Sequence, residues 1–258
     1  MKCIVTNTQS IDEITPEMSD FLENINMLYV PREKRSLDCL RETYNADEVI
    51  VWESNGPVLY IEGEKFFFHP SMAKNRINSF RKFSVPDLMI KTCGLERGDD
   101  FLDCTLGLGA DSVVAAYFSG NGRVVGLESE SGIANIVKWG MLHYKGKTEW
   151  LNQTIRQIQV LHYDHRQFLT EQPDASFDVV YFDPMFQKPL MKSQSISPLR
   201  QLANYAVLDV STIEQACRVA RKTVVMKERY GSEEFARLGF DRVVDSSNKK
   251  IAYGVIRL

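Results

Sequence analysis

The chain has 258 residues, 44% of them hydrophobic and 25% charged, with a formal net charge of −3. Those proportions match an ordinary globular protein with ample length for a core, and they lack the global basic footprint of a nucleic-acid binder. No apolar run approaches the roughly 20 residues needed to span a bilayer, and "MKCIVTNTQSIDEI" lacks the apolar stretch and cleavage site of a signal peptide, so neither membrane nor export is expected.

In chain order, "TPEMSDFLENINMLY" and "SLDCLRETYN" read as short helices, with Thr15 and Ser36 as caps and Pro16 in a first turn. "EVIVWES", "GPVLYIEG" and "EKFFFHP" are strand-like runs broken by "SNGP" and "EGE", which predicts a small antiparallel meander. Residues 1–70 are therefore expected to form a small N-terminal α+β subdomain, with residues 71–258 as the main domain. From Lys65 to Pro86 there is no acid, while Lys65, Lys74, Arg76, Arg81 and Lys82 interleave with Phe66, Phe67, Phe68, Phe80 and Phe83. That stretch reads either as a solvated helical face with its own small core or as a surface for RNA phosphates and bases.

Strict alternation follows. "DDFLDCTLG" is a strand, "ADSVVAAYFSG" a helix, "GRVVGLE" a strand and "SGIANIVKWGMLHY" a helix. "IQVLHYD" and "FDVVYFD" are strands, then "STIEQACRVAR" a helix, "KTVVMKE" a strand and "SEEFARLG" a helix. "FDRVVDS" and "KIAYGVIRL" close the chain as two strands joined too briefly for a parallel crossover. The expectation is a doubly wound, Rossmann-like α/β sheet of seven strands with a terminal antiparallel hairpin, the class I methyltransferase architecture.

Between the first of these strands and its helix lies "FLDCTLGLGADS", where Gly107 and Gly109 permit a sharp turn and close approach of a ligand. A tight strand-to-helix turn would use the same residues. Glu128 ends the second strand, where an acid can grip both hydroxyls of a ribose. Asp164 ends the third, placed either to accept from an adenine amino group or to cap the next helix. Acids at successive strand ends favour an adenosine cofactor. The dinucleotide fingerprint wants a third glycine where Ser112 stands, and Asp111 at the helix start would repel a pyrophosphate but could accept from the ammonium of a methionine moiety. S-adenosylmethionine is the cofactor expected.

"YFDPMFQKP" places Asp183 at the tip of the fourth strand. "DPMF" resembles the [D/N]-P-P-[Y/F/W] motif of class I methyltransferases that modify exocyclic amino groups. The resemblance implies that Asp183 and a backbone carbonyl fixed by Pro184 receive the two N–H bonds of the amine. Phe186 would then stack on the flipped base, worth roughly 1–3 kcal/mol. An Asp-Pro turn with Phe186 as a core plug is the alternative.

Taken together, "DCTLGLGAD", "GLES" and "YFDPMF" with its basic sequel resemble the bacterial RsmJ family, which methylates the N2 amine of a guanine in small-subunit ribosomal RNA. Its motif is matched by Asp103, Thr105, Gly107, Leu108, Gly109 and Asp111. The resemblance, covering about residues 98–230, places cofactor contacts at Ala110–Asp111, Glu128–Ser129, Asp164–His165 and Asp183. Gln187 replaces the family's usual proline, and Asp164–His165 replaces a pair that is commonly small and hydroxylated. Lys188, Lys192, Arg200, Lys227 and Arg229 are the candidate phosphate contacts. Ribosomal RNA or the small subunit is the partner implied.

Cys3, Cys39, Cys93, Cys104 and Cys217 are scattered and never spaced as CxxC, which points to reduced thiols in a cytoplasm. His162 and His165 in "HYDH" have no second metal-ligating pair, so no metal is expected. Methylation of another amine (adenine N6, cytosine N4 or a protein glutamine), a non-catalytic adenosine-binding module and an NAD oxidoreductase are the rival readings.

Overall fold

Two sheets share one apolar core in the computed structural model, which describes residues 2–10, 13–61, 63–184 and 208–258, and each sheet also packs a separate apolar cluster. The first sheet has the order β2-β1-β3-β4-β5. Its strands are β1 (Cys3–Asn7), β2 (Leu28–Tyr29), β3 (Glu48–Glu53), β4 (Gly56–Ile61) and β5 (Glu64–Phe66). The expected meander is present as β3-β4-β5, antiparallel throughout. Its extension is a correction to the sequence reading, because β1 lies parallel to both β2 and β3. All five residues of β1 are buried, so "CIVTN" shows no in–out alternation to betray it.

Helix α1 (Pro16–Glu23) starts where expected, Thr15 Oγ1 accepting from the Met18 amide at 3.2 Å. It stops early at Asn24, whose side-chain amide donates to the Asp20 carbonyl at 2.7 Å, and Leu28–Tyr29 becomes a strand instead. Helix α2 (Leu37–Tyr44) is capped by Ser36 and ends at Asn45, which takes a left-handed φ of 48°.

Helices α3 (Ser71–Phe83) and α4 (Leu88–Cys93) lead into the second sheet. There β6 (Phe101–Asp103), α5 (Ala110–Ser119), β7 (Val124–Glu128) and α6 (Ser131–His143) follow in turn. Next come α7 (Glu149–Arg156), β8 (Ile158–His162), α8 (His165–Glu171) and β9 (Phe177–Phe182). Helix α9 (Val210–Val219), β10 (Ala220–Arg229), α10 (Glu234–Arg237), β11 (Arg242–Asp245) and β12 (Ile251–Arg257) complete the chain. The order is β11-β12-β10-β9-β6-β7-β8. Strands β8, β7, β6, β9 and β10 are parallel, while β12 runs antiparallel to both β10 and β11. This is the doubly wound seven-stranded sheet with an antiparallel end that the sequence predicts. All six residues of β9 are buried, as a strand with both faces covered requires. Strand order reverses between β6 and β9, which opens a crevice beyond their carboxyl ends.

Helix α6 joins the two sheets. Trp139 meets Trp52 edge-to-face at 5.3 Å, and a side chain at Gly132 would collide with Glu48 and Leu59 of the first sheet. The shared core runs from Ile50, Trp52 and Leu59 through Ile136 and Val137 to Phe101 and Val179. Among the described residues no helix is long and apolar enough to cross a membrane, and no cluster of three or more His, Cys, Asp or Glu side chains is arranged to hold a metal ion.

Glu48 is 2% exposed, and its Oε1 has no hydrogen-bond partner among the described residues. Burial, helped by repulsion from Glu130, pushes its pKa up to about 7. An unfolded chain ionises this group near 4.5 while the folded chain keeps its proton, so the penalty grows from pH 4.5 to 7 and persists above. Glu48→Gln is therefore expected to stabilise the protein at pH 8 by about 1–3 kcal/mol, with the gain vanishing towards pH 4. Urea unfolding at the two pH values measures it.

Candidate active site

The turn after β6 is tied at both ends by Asp103. Its Oδ1 accepts from the Thr105 amide at 3.1 Å and its Oδ2 from Ser112 Oγ at 2.6 Å. Asp103 is 1% exposed, and burial pushes its pKa up to about 7. Gly107 and Gly109 have φ of 50° and 72°, a region costly to residues with a Cβ. A Cβ on Gly109 would also strike Met141 of α6. Leu108 is buried between them, and Ala110 opens α5.

Glu128, at the tip of β7, reaches back to this turn. Its Oε2 accepts from the Gly107 amide at 3.1 Å and its Oε1 from the Glu130 amide at 2.9 Å. Burial raises its pKa, and the backbone donors offset part of that rise. The Ser129 carbonyl lies 3.1 Å from His162 Nε2, drawing the ends of β7 and β8 together. Asp164 takes its alternative role as the cap of α8. It accepts from the Arg166 amide at 2.8 Å and from that residue's guanidinium at 3.1 and 2.6 Å. Those bonds hold its pKa at about 2. His165 packs edge-on against Phe182 at 5.8 Å, and burial lowers its pKa.

Asp183 stands at the tip of β9, beside the glycine turn. Its amide donates to Thr105 Oγ1 at 2.6 Å, so the two loops are hooked together. Its Oδ2 accepts from Lys227 Nζ of β10 at 2.6 Å. Lys227 also reaches Asp111 Oδ2 at 3.3 Å. Asp111 further accepts from the Tyr181 hydroxyl at 3.0 Å and from Arg76 of α3. Arg76 in turn makes two 2.8 Å bonds to Asp87, the cap of α4.

Asp87, Arg76, Asp111, Lys227 and Asp183 thus form one line of alternating charge. Burial alone would raise Asp111, but Lys227 and Arg76 outweigh it and hold the carboxyl well below the usual range. For Asp183 burial prevails: Lys227 pulls the pKa down, Asp111 pushes it back up, and it settles at about 6. Burial would lower Lys227 and Arg76, yet their acidic partners hold both well above their ordinary values.

Two sequence expectations meet a different geometry here. Asp111, read as a free acceptor for an ammonium, already has three donors. Lys227, read as a phosphate contact, turns inward and is only 19% exposed. Arg229 is half-buried beside Glu228, and Pro184 is half-buried after Asp183. Phe186, Lys188, Lys192 and Arg200 lie outside the described residues.

Arg76, Tyr181 and Asp87 were not singled out by the sequence. Tyr181 hides in an all-apolar strand, and Arg76 in a run of basic residues. Only Asp87 carried a local sign, standing before a helix as a cap residue does.

The donor set suits a cationic adenosine cofactor. Three carboxylates against two cations leave one negative charge beside the glycine turn. Both cations are committed to acids, so neither is available to a pyrophosphate. A carboxylate oxygen has spare lone pairs, and Glu128 can still receive ribose hydroxyls while it holds the turn.

Comparisons with known proteins give the family and the fold. The family model described as "Putative SAM-dependent methyltransferase" matches residues 67–250. Uncharacterized protein YpiP of Bacillus subtilis is 36% identical over 255 residues, 98% of each chain. Ribosomal RNA small subunit methyltransferase J of Acinetobacter baumannii (strain SDF) is 27% identical over 78% of this chain and 75% of its own. The protein of the same name from Buchnera aphidicola is 26% identical over 73% of this chain and 78% of its own. The crystal structure of the SAM-dependent methyltransferase NGO1261 from Neisseria gonorrhoeae superposes with a TM-score of 0.65, covering 99% of this chain and 96% of that one at 19% identity, a likeness of fold.

Proposed function

The chain belongs to this family of SAM-dependent methyltransferases, and from that premise we propose that it methylates the exocyclic N2 amine of a guanine in small-subunit ribosomal RNA. S-adenosylmethionine, when bound, supplies a methyl group on a cationic sulfur that leaves as a neutral thioether with the bonding electron pair. Gly107, Leu108, Gly109 and Ala110 would line its cradle, with Glu128 and Ser129 at the ribose side.

The chain's own work falls on the acceptor. An exocyclic amine is a poor nucleophile because its lone pair is delocalised into the ring. Asp183 accepts one of its N–H bonds and draws the nitrogen towards tetrahedral geometry. The same carboxylate offsets the positive charge that grows on nitrogen as its lone pair becomes the new N–C bond. It would then take the proton that the methylated nitrogen loses. Holding amine and methyl donor in line supplies much of the remaining acceleration. The observation that carries this reading is the 2.6 Å bond from the Asp183 amide to Thr105, which fixes the carboxylate beside the glycine turn.

Two observations support RNA as the substrate class. The relatives that carry a functional name act on small-subunit ribosomal RNA. Helix α3 presents exposed Arg81 and Lys82, stacked over Trp150 at 4.8 Å and Phe83 at 5.0 Å. Neither pairs with a described carboxylate, which leaves both charges for phosphates.

The test is incubation of the protein and methyl-labelled cofactor with small ribosomal subunits from cells lacking the gene, followed by mass spectrometry of the RNA. One N2-methylguanosine is expected. Label confined to adenine, cytosine or protein would overturn the choice of substrate.

A further inference from the structure

The carboxylate that receives the amine does not stand alone. Resting on the reading above, we propose that Lys227, anchored by Asp111 and through it by Arg76, is a positioning residue that sets both the aim and the ionisation of Asp183.

Lys227 Nζ lies 2.6 Å from Asp183 Oδ2 and 3.3 Å from Asp111 Oδ2, so one ammonium is shared unequally between two acids. The inequality has a cause. Asp111 is also served by Arg76 and by the Tyr181 hydroxyl, whereas no other described residue donates to the Asp183 side chain. The less satisfied acid takes the shorter bond. With one oxygen held, the carboxylate plane is fixed and the other oxygen is left for the substrate. Arg76 belongs to α3, which precedes the strands carrying the glycine turn, so this helix contributes to the catalytic charge balance from outside the cofactor half.

The charged and titratable groups around Asp183 come from several elements. Lys227 on β10 attracts it; Asp111 on α5, Asp103 on β6, Tyr181 on β9 and Tyr253 on β12 are acidic or neutral. Arg76 acts through Asp111. Lys227 is the one cation in contact with Asp183 among the described residues. Removing it leaves only repulsion, so the carboxyl should titrate higher. Removing the charge of Asp111 takes away repulsion and releases Lys227 to Asp183, so the carboxyl should titrate lower.

Carbon-13 NMR of the aspartate carboxyls, with the Asp183 signal assigned from Asp183→Asn, reads this without substrate. Lys227→Met is expected to move the Asp183 midpoint up by about one pH unit or more, and Asp111→Asn to move it down. Lys227→Arg, which keeps the charge, should stay near wild type and carries the test with Asp111→Asn should the methionine variant not fold. Midpoints that stay put, or shift in the same direction in both charge-removing variants, overturn the proposal. A purely structural role for Lys227 predicts no such opposition of sign. Because the titration needs no acceptor, a wild-type protein that transfers no methyl group overturns the functional reading and leaves the charge relay to be decided by NMR. In an active enzyme the acidic limb of kcat/KM should move with the carboxyl in each variant.

Discussion

Asp183→Asn is expected to lower kcat by about 10²–10⁴-fold while the Kd for S-adenosylmethionine changes by less than about threefold. The substitution keeps the size of the side chain and reverses its chemistry. An amide presents N–H where the amine needs an acceptor, and it has no negative charge to offset the cation forming on nitrogen. Lys227 retains Asp111 as a partner, so the variant buries no new unpaired charge. Cofactor contacts would come from the glycine turn, to which Asp183 is tied by its backbone amide through Thr105, and from Glu128. At about 1.4 kcal/mol per tenfold, the loss amounts to roughly 3–5 kcal/mol of transition-state stabilisation. Steady-state kinetics with calorimetry of cofactor binding separates the two effects. Turnover within about threefold of wild type would remove Asp183 from the chemistry.

The second large effect falls on stability. Arg76→Leu strips a donor from two acids at once, Asp87 and Asp111, whose side chains are only 16% and 9% exposed. Breaking a buried pair by removing one partner costs about 3–5 kcal/mol, because the remaining charge stays buried. Lys227 and Tyr181 still serve Asp111, so the lower part of that range is expected. The pH dependence follows from the direction of the Asp111 shift. A carboxyl held low in the folded state contributes stability above its unfolded pKa of about 3.9 and loses it as pH falls through the folded value. The gap between wild type and Arg76→Leu should therefore be full at pH 7 and shrink below about pH 4. Urea midpoints across that range measure it. A double variant with Asp111→Asn should recover part of the loss, since it removes one of the stranded charges.

Much of the second sheet was legible because its signals are local. Each strand from β6 to β10 is a short apolar run, separated from the next by a helix or a long connection, and right-handed crossovers then leave few arrangements. The brief link between β11 and β12 excluded a parallel crossover on length alone. Elements whose signals are weak or non-local were lost. Strand β1 is buried on both faces and has no alternation. Helix α7 buries Leu151 and Ile155 one turn apart, but Thr148 before it makes no side-chain cap bond to mark its start. Helix α1 was drawn too long because nothing in "NINMLY" says that Leu28 and Tyr29 will pair with Ile4 and Val5.

The site divides in the same way. The glycine turn, the acid closing β7 and the Asp-Pro step after β9 are each written within a few neighbouring residues, since backbone geometry and strand ends are local matters. Which acids remain available is not. Arg76 and Asp111 are 35 residues apart, and Lys227 and Asp183 are 44 apart. Asp111 already holds three donors, and Lys227 turns inward and is half-buried. Charges attract according to distance in space, and that distance is set by the order in which strands lie side by side.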